Sequence, residues 1–263
     1  MLRDTWTKTL WDQRRSLLGW AIGFAAVSLV YGGFYPMVAI PEYQDLIEGM
    51  PPGLIEAFGW DEISSPHGYL GSTVYGILGP VLAIVMAIGL GSRAIAGSEE
   101  DGSLELLVTH PVSRTSVVLQ KAAALAVAML GAGVVVFLAI IVLRGPIEID
   151  IAWTHIAAAS LNLALMGLFF GAVAVLVGAI TGRKGVTVGA TAGVAVFAFL
   201  ANGVLPQVDA LAWMQNLSPF YWANGSTALR DGLDAGLTLA LAGASVVALT
   251  AAVAAFNRRD IGA

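Results

Sequence analysis

The residues best suited to a specific task lie between positions 97 and 114. Glu99, Glu100 and Asp101 precede a Gly102-Ser103 turn, and Glu105 follows. A serine hydroxyl can accept a hydrogen bond from the first turn of a helix, so Ser103 is a candidate cap. An acid such as Glu105 in that turn complements the positive end of the helix dipole. Leu104, Leu106 and Leu107 give the short helix an apolar surface, Pro111 follows its expected end, and Ser113 can cap the next helix just before Arg114. This is the chemistry of docking and force transmission. A capped, charged helix on the tips of two apolar segments can pass a push between a soluble partner and a membrane. The same residues read equally well as a solvated acidic loop, and taken alone they leave both readings open.

Catalysis and metal binding find no comparable constellation. The chain has no cysteine, which excludes disulfides, thiolate metal sites and cysteine nucleophiles. His67, His110 and His155 are far apart, no H-E-x-x-H pattern occurs, and no metal site is expected. Asp61/Glu62 and Asp231/Asp234 could hold a cation but read more simply as solvated faces. No G-x-S-x-G elbow surrounds a serine. The string nearest a P-loop, Gly178 to Gly185, has the wrong spacing and no Ser or Thr after Lys184, so ATP hydrolysis is not expected in this chain. No basic stripe with interleaved aromatics suggests nucleic acid.

The elements that must position these residues are helices in a membrane. The chain is 57% hydrophobic and only 12% charged. A soluble domain carries about 25% charged residues. A helix of about 20 apolar residues crosses a bilayer core. Six runs meet that length without an internal charge: 17–40, 70–90, 122–143, 156–180, 186–205 and 235–256. Backbone polar groups must be satisfied internally in lipid, so the runs predict helices, and they lack the alternation of barrel strands. Of the 13 Lys and Arg residues, all but Arg144 and Arg230 fall on one side of these runs. Basic residues near short loops stay cytoplasmic, which predicts six spans with both termini inside. The first run is too long for a signal-peptide core, so the N-terminus is expected to be retained.

Residues 1–15 predict an amphipathic interfacial helix, with Leu2, Trp6 and Leu10 on one face. Pro80 should kink the second span because it lacks a backbone donor. GxxxG pairs such as Gly167/Gly171 and Gly185/Gly189 predict close helix packing. The proline-rich segment 41–69 predicts one or two helical turns over Gly53–Phe58. Segment 206–232 is too apolar for a free loop and predicts short re-entrant helices before the last span. Within it, Pro219, Phe220, Tyr221 and Trp222 could form an external gate, or an interfacial aromatic belt. Asn162 and Asn202 lie inside spans and could touch a substrate, or hydrogen-bond between helices. No ionisable residue lies inside a span, which argues against an intramembrane enzyme or a proton-driven transporter.

The string from Ile95 to Arg114 resembles the signature of ABC-2-type permeases, the membrane subunits of ATP-binding-cassette exporters. In that family a Gly-[Ser/Thr]-Leu-Glu-Leu-Leu segment and a Pro-[Val/Ile]-Ser-Arg segment sit between the second and third spans. Glu99, Gly102, Ser103, Leu104, Glu105, Leu106, Leu107, Pro111, Ser113 and Arg114 match, while Thr109-His110 departs. The N-terminal helix, the six spans and Leu217–Trp222 extend the resemblance over the whole chain, 1–263, as one transmembrane domain similar to NosY-like and antibiotic-efflux permeases. The resemblance implies that the cytoplasmic helix, with Glu100 included, couples to an ATPase, and that Arg114 pairs with Glu99 or Glu105. It implies an ATPase subunit in two copies that binds the ATP and magnesium, while this chain binds no cofactor. A second permease, a homodimer mate or a close paralogue, and membrane lipids complete the expected partners. A multi-pass protein of a bacterial inner membrane that exports a lipophilic or amphiphilic compound is the expected whole. A non-transporting membrane anchor for a cytoplasmic ATPase is the alternative.

Overall fold

The computed structural model describes residues 5–58, 60, 62–102, 113–147, 149–223 and 225–259. Helices account for almost all of them, and no strand occurs among the described residues. Six helices are long and apolar enough to cross a membrane: span 1 (Arg14–Val38), span 2 (Pro66–Glu100), span 3 (Arg114–Arg144), span 4 (Trp153–Thr181), span 5 (Lys184–Gln207) and span 6 (Ala235–Arg258). Each contains the corresponding apolar run, except that the first ends at Val38 rather than at Ile40. Pro36 opens a separate turn, Tyr35–Val38, and Pro41 starts another helix, Pro41–Glu48. A proline starts a helix well and continues one badly.

Span 4 is the axis of the bundle. It packs against spans 2, 3, 5 and 6. Within its most apolar stretch 61% of residues are buried, against 17% in span 1 and 22% in span 5. Small residues make this possible, because backbones can approach where no side chain intervenes. A β-carbon on Gly171 would lie 2.6 Å from the Leu125 side chain, and one on Gly167 would lie 2.7 Å from the Met129 sulfur. The Gly167/Gly171 pair is therefore used for packing inside this chain. Gly185, Gly189 and Gly193 of span 5 are different: an added β-carbon there meets none of the described residues within 4 Å.

Span 2 is not a uniform α-helix. Pro80 cannot donate a hydrogen bond, and the chain widens one turn earlier, over Val74–Leu78. There the Leu78 N–H donates to the Thr73 carbonyl at 2.9 Å, five residues back. Pro80 then falls in the first turn of the next α segment, Gly79–Ser92, where no donor is required. The expected kink is thus taken up as a wide turn. A second wide turn, Arg93–Gly97, precedes Ser98–Glu100. Hydroxyls tie span 2 to its neighbours. Tyr75 and Ser160 share a hydrogen bond of 2.9 Å, and the Tyr69 hydroxyl donates to the Tyr31 carbonyl at 2.8 Å.

The short elements sit at the two ends. A helix over Thr5–Asp12 lies against span 3 at the end rich in basic residues; Leu2 falls outside the described residues. At the opposite end, helix Pro52–Phe58 occupies the stretch expected to form a turn or two. Segment 205–231 forms two 3-10 turns, Leu205–Gln207 and Asp209–Leu217, then helices Pro219–Ala223 and Gly225–Asp231.

Candidate functional site

The motif read from the sequence leads to a charged node at the basic end of the bundle. Span 2 finishes with Ser98–Glu100, and the Ser98 hydroxyl donates to the Arg93 carbonyl at 3.0 Å. The chain then turns at Asp101 and Gly102, where a φ of +72° suits glycine. Ser103, Leu104, Glu105, Leu106, Leu107 and Pro111 lie outside the described residues. The chain is described again at Ser113, whose hydroxyl accepts the Ser116 N–H at 3.2 Å and caps span 3.

Glu99 forms a short ion pair with Arg259, the residue that follows span 6. Both side chains are less than a quarter exposed. Of the two partners expected for Arg114, Glu105 lies outside the described residues, and Glu99 does not pair with it. Arg114 instead donates to the backbone carbonyls of Arg259 at 2.5 Å and Phe256 at 3.4 Å. The physical reason is the helix end. The last carbonyls of span 6 have no partner within the helix and carry the negative end of its dipole, so they attract the nearest guanidinium. Arg114 closes that end, and Glu99 is left to Arg259.

Two further spans join the node. The Arg259 guanidinium rests directly on Gly182, the left-handed residue (φ +62°) that terminates span 4. A side chain at 182 would occupy the same space. Glu100 Oε1 accepts the Lys184 backbone N–H at 2.8 Å, placing a carboxylate on the N-terminus of span 5, where an acid is favoured. Asn257 also donates to the Thr115 hydroxyl at 3.0 Å, between spans 6 and 3. The ends of spans 2, 3, 4, 5 and 6 thus meet in one network. Glu99 Oε2 and Arg259 Nη1 are buried in it and have no hydrogen-bond partner among the described residues.

The opposite end holds the expected aromatic cluster. Phe220 packs against Phe170 of span 4 (6.0 Å between ring centres) and edge-on against Phe199 of span 5 (5.6 Å). Pro219 is buried, Tyr221 is half-buried, and the Trp222 indole donates to the Asn216 carbonyl at 2.8 Å. Ser218 fixes the segment by donating to the Ala198 carbonyl at 2.8 Å. Phe199 and Phe220 also line a crevice of about 320 Å³ between spans 2 and 5, walled by Ile84, Val85, Ala195 and Val196 among others. All of the lining surface is apolar.

A model of the ABC-2 family transporter proteins matches residues 7–261. The chain belongs to the ABC-2 transporter family. This permease is therefore the membrane component of an ABC transporter, a multi-pass protein whose family works with an ATPase. A comparison with curated proteins returned no match.

Several of the remaining polar candidates of the permease make contacts within the chain. Asn162 Oδ1 accepts a hydrogen bond from the Thr238 hydroxyl at 2.9 Å, joining spans 4 and 6. At Asn202 it is the backbone carbonyl that accepts from the Gln215 side-chain amide, at 3.2 Å. Arg230 bridges Asp231 (3.2 Å) and Glu62 (3.6 Å), and Glu62 also meets His67 at 2.9 Å. Hydrogen bonding and charge from Asp231, then charge from Glu62, hold the Arg230 pKa above its ordinary value. Among the described residues no three His, Cys, Asp or Glu side chains are grouped to hold a metal. Sequence reasoning missed Arg259 and Gly182. Arg258 and Arg259 count in the sequence only among the basic residues on one side of the spans, although a basic residue just beyond a helix is also a candidate partner for a carboxylate on a neighbouring end.

Proposed function

We propose that this permease exports a lipophilic or amphiphilic compound, driven by ATP hydrolysis on a separate subunit that docks at the basic end. The observation that carries the reading is the charged node. It joins the ends of five spans beside the segment that resembles the family's coupling helix, so a displacement there would reach most of the bundle at once. Interfaces and packed cores are bistable rather than continuously deformable, so such a displacement would be converted into a change of arrangement. Two ATPase copies and a second permease complete the assembly in this reading. The basic end faces the cytoplasm of a bacterial inner membrane, with both termini inside.

The character of the cargo is inferred from the crevice between spans 2 and 5. Its apolar wall favours apolar surface and offers a charged solute no compensation. Phe220 lies in that wall with Phe199, and in our reading the 219–222 segment is the external gate of the path.

The test is a tagged pull-down from native membranes in mild detergent, with and without Glu105→Arg. An ATPase that co-purifies with the wild type and is lost in the variant supports the reading. Retention in the variant removes the coupling role from that segment. ATP-dependent export in liposomes then separates a transporter from a non-transporting anchor, which would dock the ATPase and move nothing.

A further inference from the structure

A groove of about 440 Å³ lies at the basic end, between the start of span 1 and the middle of span 3, and it is separate from the crevice between spans 2 and 5. Leu17, Trp20, Val127, Ala128 and Val135 supply its nearly apolar wall, and Leu10 of the interfacial helix stands at its end. From Val127 to Val135 it runs along about 12 Å of helix at about 1.5 Å per residue. Arg14 forms part of the same wall. Its guanidinium is not loose: it lies 4.4 Å from the centre of the Trp11 ring and donates to the Trp11 carbonyl at 2.7 Å. Trp11 is itself 60% exposed, as expected of a tryptophan at the membrane–water boundary. Arg15 is next in sequence, and Lys121 lines a small cleft that shares Leu10 and Ala128 with the groove. Asp12 is the only carboxylate on the described part of the interfacial helix.

We propose that this groove binds an anionic phospholipid, with one acyl chain along span 3 and the phosphate on Arg14. The charge arrangement selects this occupant. A second protein chain would need only apolar contact, whereas the lining of this groove includes one guanidinium, that of Arg14, beside an exposed tryptophan. Arg14 uses one of its five donors on Trp11, and the others suit a phosphate's oxygens. Basic residues at the membrane surface attract anionic lipids, each contributing about 1 kcal/mol. The site would pin the interfacial helix to spans 1 and 3 at the end where the charged node sits.

The experiment uses the full-length permease in neutral detergent, with lipid binding followed by native mass spectrometry and thermal unfolding. Phosphatidylglycerol is compared with phosphatidylcholine of the same chains and with glycerol phosphate alone. Phosphatidylglycerol is expected to bind in preference and to raise the melting temperature, and glycerol phosphate is expected to do neither. Arg14→Gln should reduce the preference by about fivefold, and Arg14→Lys should keep most of it. Gly131→Leu fills the groove from a position where an added β-carbon meets none of the described residues within 4 Å. It should abolish retention of phosphatidylglycerol while the protein still folds. Equal binding of the two lipids, stabilisation by glycerol phosphate alone, or retention in Gly131→Leu would each overturn the proposal. So would cross-linking of two copies through position 131.

Discussion

Glu99 and Arg259 are 160 positions apart in sequence and form one ion pair that joins the end of span 2 to the end of span 6. The pair is mostly buried, and a charge left behind by removing its partner would lack compensation. Glu99→Gln and Arg259→Gln should each lower stability by about 1.5–3 kcal/mol, the range for hydrogen bonds to charged groups. The double variant should cost clearly less than the sum, since both changes remove the same contact. Thermal unfolding of the detergent-solubilised protein checks this, and simple additivity would show that the pair is not energetically coupled.

Gly182 and Gly102 separate backbone strain from crowding. Both have positive φ, but only at Gly182 would a side chain meet the Arg259 guanidinium; at Gly102 none of the described residues lies within 4 Å. Gly102→Ala should cost about 1–2 kcal/mol from the left-handed backbone alone. Gly182→Ala should cost more, and the excess should shrink when Arg259 is also replaced by Gln. Melting temperatures of the three variants decide it.

The Asn162–Thr238 bond distinguishes a structural residue from one that touches cargo. Hydrogen bonds between membrane helices contribute about 0.6 kcal/mol and at most about 1.7. Asn162→Leu and Thr238→Val should therefore lower stability slightly and by similar amounts, with transport nearly unchanged. A large loss of transport in Asn162→Leu at unchanged stability would place the residue on the pathway instead.

The crevice between spans 2 and 5 gives a functional test that leaves the node intact. Val196 is 60% exposed and lines it. Val196→Trp should fill the space and reduce export about tenfold, equivalent to about 1.4 kcal/mol in the barrier. Association with the ATPase should be unaffected. Unchanged export would exclude this crevice as the route.

The sequence by itself determined the membrane class, the number of spans and the polarity of their ends. Each is a one-dimensional quantity that the bilayer imposes. A run either is or is not long enough to cross, and basic residues either do or do not gather on one side. Local capping was equally legible: Ser113 caps span 3 through an N–H three residues away. Pro80 announced a break, but its form as a wide turn over Val74–Leu78 depended on how span 2 packs. Tertiary structure alone decided which carboxylate meets which cation. Arg114 was free by sequence to take Glu99 or Glu105; in the structure it meets the carbonyls at the end of span 6, and Glu99 pairs with Arg259. It also decided which glycines are contacts, since Gly171 and Gly189 look alike in sequence and, among the described residues, only Gly171 has a neighbour against it. Helices this uniformly apolar carry no strong polar face to fix their rotation. That rotation is set by small-residue packing and by a few polar contacts between residues far apart in the chain.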